Sequence, residues 1–359
     1  MRGAVLPGLE QPIEVRDDVE VAGPGPGEVR IRVIASGVCH SDVSVQDGTL
    51  PNPVPCVLGH EGAGEVIAIG DGVTTVAEGD HVIISWVPPC GACFFCLHGQ
   101  PNLCSDFVEA QARPPRFSAG GTPVFAMAAC GTWAEETVLP ASAAIKIADD
   151  IPFDVASLIG CGVMTGVGAA LKTAHVEPGS SVVVFGCGGV GISVIQGARI
   201  AGAAEIVAVD LAEQKLELAK SFGATHAATP AQLLPLQTEL TGPVGFDYAF
   251  EVVGRPETIR GAWEATRRGG TTVIVGAGSM MAQVPFNAFE LFYFERRMLG
   301  CWYGSADVRT DFDMLLRLWR QGKLDLEGMI TRRIDLSEIN EAFDAMKKAE
   351  VIRSVIEFK

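Results

Sequence analysis

Four cysteines, at 90, 93, 96 and 104, form a C-x2-C-x2-C-x7-C array inside PPCGACFFCLHGQPNLC. Thiolates this close along a chain can surround one tetrahedral ion, and a four-cysteine set suits a structural zinc. Gly91, Gly99 and Pro101 let the segment fold back on itself. Bacterial iron–sulfur loops share the first two gaps, but their next gap is three residues and proline follows the last cysteine. Here that gap is seven and Ser105 follows. Structural zinc on Cys90, Cys93, Cys96 and Cys104 is the expectation, against a bland loop of unliganded thiols.

A second set is scattered. GVCHSD at 37–42 carries Cys39, GHEGAG at 59–64 carries His60, and IGCGVMTG at 159–166 carries Cys161. Singly, each reads as ordinary packing. Together they offer two thiolates and one imidazole, a donor set for catalytic zinc with an open fourth position. Asp42 can accept the second ring N–H of His60, and Ser41 can hand on a proton. Such an ion lowers the pKa of a bound alcohol, and the alkoxide then expels hydride readily. Hydride needs a carrier.

Gly186-Cys187-Gly188-Gly189-Val190-Gly191 is G-x-G-x-x-G, directly after the apolar run SVVVF and at the start of a helical pattern. Asp210 closes the next strand candidate, 19 residues after Gly191. That is the dinucleotide fingerprint: glycines allow close approach to a pyrophosphate, the helix start offers N–H groups, and the acid takes the ribose hydroxyls. No arginine follows Asp210 in DLAEQK, which favours NAD over NADP. The bland alternative is a glycine-rich turn without a ligand.

These residues need elements to hold them. The first 150 residues are short apolar runs separated by turn signals, such as Val29–Ala35, Gly64–Ile69 and His81–Val87, and predict a β-rich region. After Pro152, strand candidates (Ser181–Phe185, Glu205–Val209, Phe246–Val252, Thr271–Val275, Met298–Trp302) alternate with helical patterns, predicting a covered parallel sheet and an α/β fold. In the tail, Thr310 with Asp313 reads as a helix cap, Ser337 opens a second helix, and RSVIEF reads as a strand. Pro178–Ala198, Gly269–Phe289 and Val155–Leu171 are free of charge but broken by glycines. They read as buried strands with turns, not membrane spans.

The chain has 359 residues, 27 basic and 43 acidic, for a net charge of −16. That disfavours nucleic acid and anionic membranes as partners. No targeting pattern is read at MRGAVL, so ten cysteines in a chain this long point to metal or catalysis in a cytoplasmic protein, not to disulfides.

In this order, the motifs resemble the zinc-containing alcohol dehydrogenases of the medium-chain dehydrogenase/reductase superfamily, over essentially the whole chain. Gly59-His60-Glu61-x2-Gly64-x5-Gly70-x2-Val73 matches that family's signature, and EINEAF and VIRSVI resemble family segments. The resemblance implies a GroES-like catalytic domain (1–162), a Rossmann NAD-binding domain (163–302) and a return to the catalytic domain (303–359), with the active site in the cleft. It implies two zinc ions: a catalytic one on Cys39, His60 and Cys161, with Glu61 behind it, and a structural one on the four-cysteine loop. Ser41 would begin a proton relay. Trp86 would wall the substrate pocket, Lys215 would reach the adenosine ribose, and His40 and Arg353 would lie near the pyrophosphate. Thr165 and Val190 would flank the nicotinamide, with Val275, Gly276 and Ala277 also at the cofactor. One departure stands out: many members carry a histidine five residues after the first zinc cysteine, where this chain has Ser44.

The expected reaction is hydride transfer between an alcohol, primary alcohols favoured, and NAD, giving an aldehyde or ketone. IGCGVMTGVGAAL and WYGSADV are also similar to thiol-dependent formaldehyde dehydrogenases acting on S-hydroxymethyl adducts of mycothiol. Arg113 and Arg116 in the 105–131 loop offer either a solvated surface or an anion grip for such a substrate. A non-catalytic NAD- or zinc-binding protein is the alternative of another class. A homodimer through the strand near Met298–Trp302 is expected over a tetramer.

Overall fold

Val29, Ile31 and Val33 are apolar at every second position. In the computed structural model of the protein they point inward from a long strand, Glu28–Val38, while Arg30 and Arg32 pair outward with Glu136 and Glu65. The structure describes residues 1–110 and 114–359. Packing divides the chain into two units: Met1–Gly162 with Asp307–Gly322 and Leu326–Lys359, and Val163–Ala306 with Lys323–Asp325.

The first unit is β-rich. Its seven-stranded sheet is built around Glu28–Val38, which pairs antiparallel with Glu61–Ile69, Glu136–Pro140 and Arg353–Glu357. Ile334, Leu336, Ile339 and Phe343 from the tail share one core with Val38, Val43, Leu58 and Trp133. Trp133 is fully buried, and its indole N–H donates to the Gly37 carbonyl at 3.2 Å. Truncating such a ring to alanine costs about 3–5 kcal/mol.

The second unit is a parallel α/β sheet. Its strands are β1 (Ser181–Phe185), β2 (Glu205–Val209), β3 (His226–Ala228), β4 (Phe246–Glu251), β5 (Thr266–Ile274) and β6 (Arg297–Gly300), in the spatial order β3-β2-β1-β4-β5-β6. The order reverses at β1, the switch point where doubly wound sheets open a ligand crevice at the strands' carboxyl ends. Val183, Phe185, Val207, Val209 and Phe246 form the core beneath.

Three local expectations are corrected. Val155–Leu171 is helical, not strand: helix runs through Phe153–Thr173, with π turns at Ile159–Val163 and Ala169–Thr173. A wholly apolar run carries no period that separates a buried helix from a buried strand. This helix is long and apolar enough to cross a membrane, yet 83 % of its apolar window is buried in the protein. The tail helix Val308–Arg320 starts earlier than Thr310, because Asp307 accepts the Arg309 N–H as its cap. Likewise Asp335, not Ser337, opens the last helical segment, accepting the Ser337 N–H.

Candidate active site

Cys39 closes the strand Glu28–Val38 and stands at the start of the short helix His40–Gln46. Asp42 does two things there. One carboxylate oxygen accepts the Cys39 N–H at 2.8 Å; the other accepts the Gly59 N–H at 3.1 Å and lies 3.2 Å from His60 Nδ1. The C-H-S-D spacing thus lets one buried acid shape the turn and orient the imidazole through Nδ1. Cys161 sits in the first π turn, where the widened backbone moves it out of α-helical phase. The donor atoms of Cys39, His60, Glu61 and Cys161 all lie within 4.8 Å of one another, and all four residues are buried.

Glu61 begins the strand beside this set. Its Oε1 accepts the Gly162 N–H at 3.1 Å and lies 3.1 Å from the guanidinium of Arg353, which itself donates to the Val38 carbonyl. Burial pushes the Glu61 carboxyl up to about 7 despite Arg353. A hydrogen bond from Cys161 holds the Cys39 thiol well below its ordinary value, and the same contact drives Cys161 well above its own. Burial opposes charge on His60, but Asp42 and Cys39 outweigh it and hold the imidazole high. Dense acidic donors, proton-sharing sulfurs and an oriented imidazole are what a divalent ion displaces protons from. The set therefore fits a zinc ion by donor chemistry. Ser41 Oγ lies 3.7 Å from Cys39 Sγ, and the Trp86 ring meets His60 edge-on at 6.4 Å.

The four-cysteine loop is a different object. Cys93 and Cys104 sulfurs stand 3.9 Å apart, and those of Cys90 and Cys96 4.0 Å apart. Those separations are twice a disulfide bond and match the edge of a tetrahedron with bonds of about 2.3 Å, roughly 3.8 Å. Backbone N–H groups of Ala92 and Cys93 point at Cys90 Sγ, and that of Cys90 at Cys104 Sγ. Backbone donors hold Cys93 down to about 6, while burial pushes Cys96 up to about 12. The arrangement fits a structural zinc, and among the described residues these are the two metal-ligand clusters.

The glycine-rich turn caps β1 and feeds the helix Gly189–Ala201. Gly186 is left-handed, with φ of 100°, and a Cβ at Gly191 would lie 1.8 Å from the Gly186 carbonyl oxygen. Gly188 faces open space, a cradle that suits a pyrophosphate. Asp210 closes the turn from β2: its oxygens accept the N–H groups of Cys187 at 2.8 Å and Ala212 at 3.0 Å. Val190, Lys215 and Thr165 are half-buried in the same unit, and Val275, Gly276 and Ala277 follow β5. In the first unit, His40 is exposed, whereas Arg353 is buried against Glu61, a pairing the sequence did not announce. Arg116 is ion-paired with Glu28, so it is no free cation for an anion grip; Arg113 lies outside the described residues.

Comparison with known proteins agrees with this geometry. Residues 25–149 match the alcohol dehydrogenase GroES-like domain model, and residues 189–319 the zinc-binding dehydrogenase model. The chain is 39 % identical over 372 residues to an S-(hydroxymethyl)glutathione dehydrogenase of Paracoccus denitrificans, covering 99 % of each. It is 39 % identical over 375 residues to an alcohol dehydrogenase class-3 of Cereibacter sphaeroides, again covering 99 % of each. Among solved structures, benzyl alcohol dehydrogenase from Acinetobacter calcoaceticus superposes with a TM-score of 0.93 at 32 % identity, covering 100 % of this chain and 99 % of that one. An alcohol dehydrogenase zinc-binding domain protein from Burkholderia ambifaria reaches 0.94 at 31 %, covering 100 % and 98 %.

Proposed function

Because the chain belongs to the zinc-binding alcohol dehydrogenase family, as an oxidoreductase of GroES-like and Rossmann-type architecture, we propose that it moves hydride between a primary alcohol and NAD. The observation that carries this reading is the buried Cys39–His60–Cys161 set, oriented by Asp42, in one chain with a glycine turn closed by Asp210. A zinc ion held by Cys39, His60 and Cys161 supplies Lewis acidity to an alcohol oxygen. NAD on the glycine turn supplies the hydride acceptor.

The chain's own residues do the rest. Asp42 fixes the His60 tautomer, so Nε2 faces the sulfurs. Ser41 takes the alcohol proton at its hydroxyl, beside Cys39. Serine stands at 44 where a histidine would end the relay, and the proton leaves through water instead. Asp210 accepts ribose hydroxyls and repels a 2′-phosphate, giving NAD over NADP. Trp86 walls the substrate side, and its edge-on contact with Phe107 at 5.6 Å steadies it.

A narrower reading has its own support: relatives named S-(hydroxymethyl)glutathione dehydrogenase span the whole chain. Under it, the substrate is the hydroxymethyl thioether formed from formaldehyde and a small thiol. The test is NAD reduction with a panel of primary alcohols, and with formaldehyde with and without glutathione or mycothiol. Turnover of free alcohols supports the main reading; turnover only with thiol present selects the second; turnover with neither defeats both. We place the enzyme in a reducing, cytoplasmic compartment, where the six cysteines that would hold zinc stay reduced. As a homodimer it would pair through β6, the sheet's edge strand, with half-exposed Trp302 beside it.

A further inference from the structure

The second unit holds a buried acid that the reaction leaves without a role. Glu251 ends β4 and is fully buried. Its Oε1 accepts three hydrogen bonds: from the N–H groups of Val253 at 2.9 Å and Gly254 at 2.8 Å, and from the Thr258 hydroxyl at 2.6 Å. Its main-chain carbonyl accepts the N–H groups of Val275 at 2.8 Å and Gly276 at 3.0 Å. One residue thus ties the loop after β4 with its side chain and the loop after β5 with its backbone.

The two loops meet backbone to backbone, for a Cβ on Gly276 would lie 2.2 Å from the Gly254 nitrogen. The first also packs on the glycine turn: Val252 N–H donates to the Phe185 carbonyl at 3.0 Å, and a Cβ on Gly186 would lie 2.8 Å from a Val253 methyl. Glu251 Oε2 is buried without a partner among the described residues. An unmatched buried oxygen costs stability. Its three acceptor bonds are what offset that cost.

We propose that Glu251 is a positioning residue for the dinucleotide: by tying Val252–Gly254 to Val275–Gly276 it sets the wall of one half of the binding crevice. This rests on the dinucleotide reading above. In the order β3-β2-β1-β4-β5-β6 the two halves of a dinucleotide fall on either side of β1. Asp210, at the end of β2, marks the adenosine side. The loops held by Glu251 therefore wall the nicotinamide side.

The test compares NADH with AMP, which carries only the adenosine half, by calorimetric titration of the purified full-length protein, with thermal melting alongside. Glu251→Ala is expected to raise the Kd for NADH by about tenfold or more while AMP stays within about twofold. Glu251→Gln keeps an acceptor oxygen and is expected within about threefold of wild type for both. Thr258→Val removes one donor and is expected to weaken NADH alone, by less than Glu251→Ala. If Glu251→Ala does not fold, the other two variants carry the comparison. Equal weakening of NADH and AMP, unchanged NADH binding in folded Glu251→Ala, or Glu251→Gln as weak as Glu251→Ala overturns the inference. Wild-type protein that binds neither nucleotide overturns the dinucleotide reading itself, and the inference with it.

Discussion

The two metal-ligand clusters are built on opposite plans. Cys90, Cys93, Cys96 and Cys104 come from one short loop, lie partly at the surface, and are held by N–H groups of their own loop. Cys39, His60 and Cys161 come from a strand end, a loop and a π turn, are buried, and lean on Asp42, Glu61 and Arg353. The first is a local staple. The second exists only once the unit has folded, and its outer partners belong to it as much as its donors do. The contrast teaches where each should fail when disturbed: the staple in stability, the buried set in chemistry.

The sharpest break is Cys39→Ser. Several kcal/mol of charge stabilisation at about 1.4 kcal/mol per decade predicts a fall in kcat/KM of roughly a thousandfold. Zinc content should drop from two per chain to one, with melting little changed. An active variant with one zinc would erase the distinction. Next comes Cys93→Ser, which should also lose one zinc but lower the melting temperature by on the order of 10 °C. Its kcat, measured well below that melt, should stay within about fivefold of wild type, since these sulfurs touch no reacting atom.

A finer probe is Asp42→Asn. It keeps the size of the side chain but removes the charge behind His60 and one of the two oxygens that accept the Cys39 and Gly59 N–H groups, so zinc affinity at the buried set or activity should fall about 10- to 100-fold. Titration with a chelator, followed by metal analysis, would show the staple's zinc unaffected. The smallest effect is a control away from both clusters. Arg260 holds Glu290 down to about 2. A depressed carboxylate adds stability above its unfolded value of about 4.3, and that stability is lost as pH falls toward the folded value. Arg260→Gln should therefore raise the acid-unfolding midpoint by a fraction of a pH unit, without changing zinc content at neutral pH.

The same contrast explains what the sequence could disclose. The staple is legible because its four donors lie within the fifteen positions 90–104 and need no tertiary context. Cys39, His60 and Cys161 are individually mute, and become a set only when Asp42, the signature around His60 and the glycine turn are weighed together. The strands β1 and β2 show themselves by β-branched runs ending at Gly186 and Asp210. Val155–Leu171 hid its helix because it is apolar on every side. The tail helices hid their starts because Asp307 and Asp335 cap them ahead of the threonine and serine that look like caps. Long-range pairings were silent altogether. Nothing in the sequence near Arg116 announces Glu28, and nothing near Arg353 announces Glu61. Glu251 left a trace, an acid closing the apolar strand FDYAFE, but its bonds to two loops are visible only in three dimensions.

The strand Arg353–Glu357 lies between Glu28–Val38 and Ile330–Ile334 in the seven-stranded sheet, and it carries the guanidinium that faces Glu61. On a ribosome, Cys39, His60 and Cys161 emerge long before that strand is made. Until that strand is made, nothing fills the place between Glu28–Val38 and Ile330–Ile334, and Glu61 lacks the cation that faces it. Deleting the strand Arg353–Glu357 would therefore reach the metal set, because it would take the guanidinium from Glu61 and open the sheet beside Glu28–Val38.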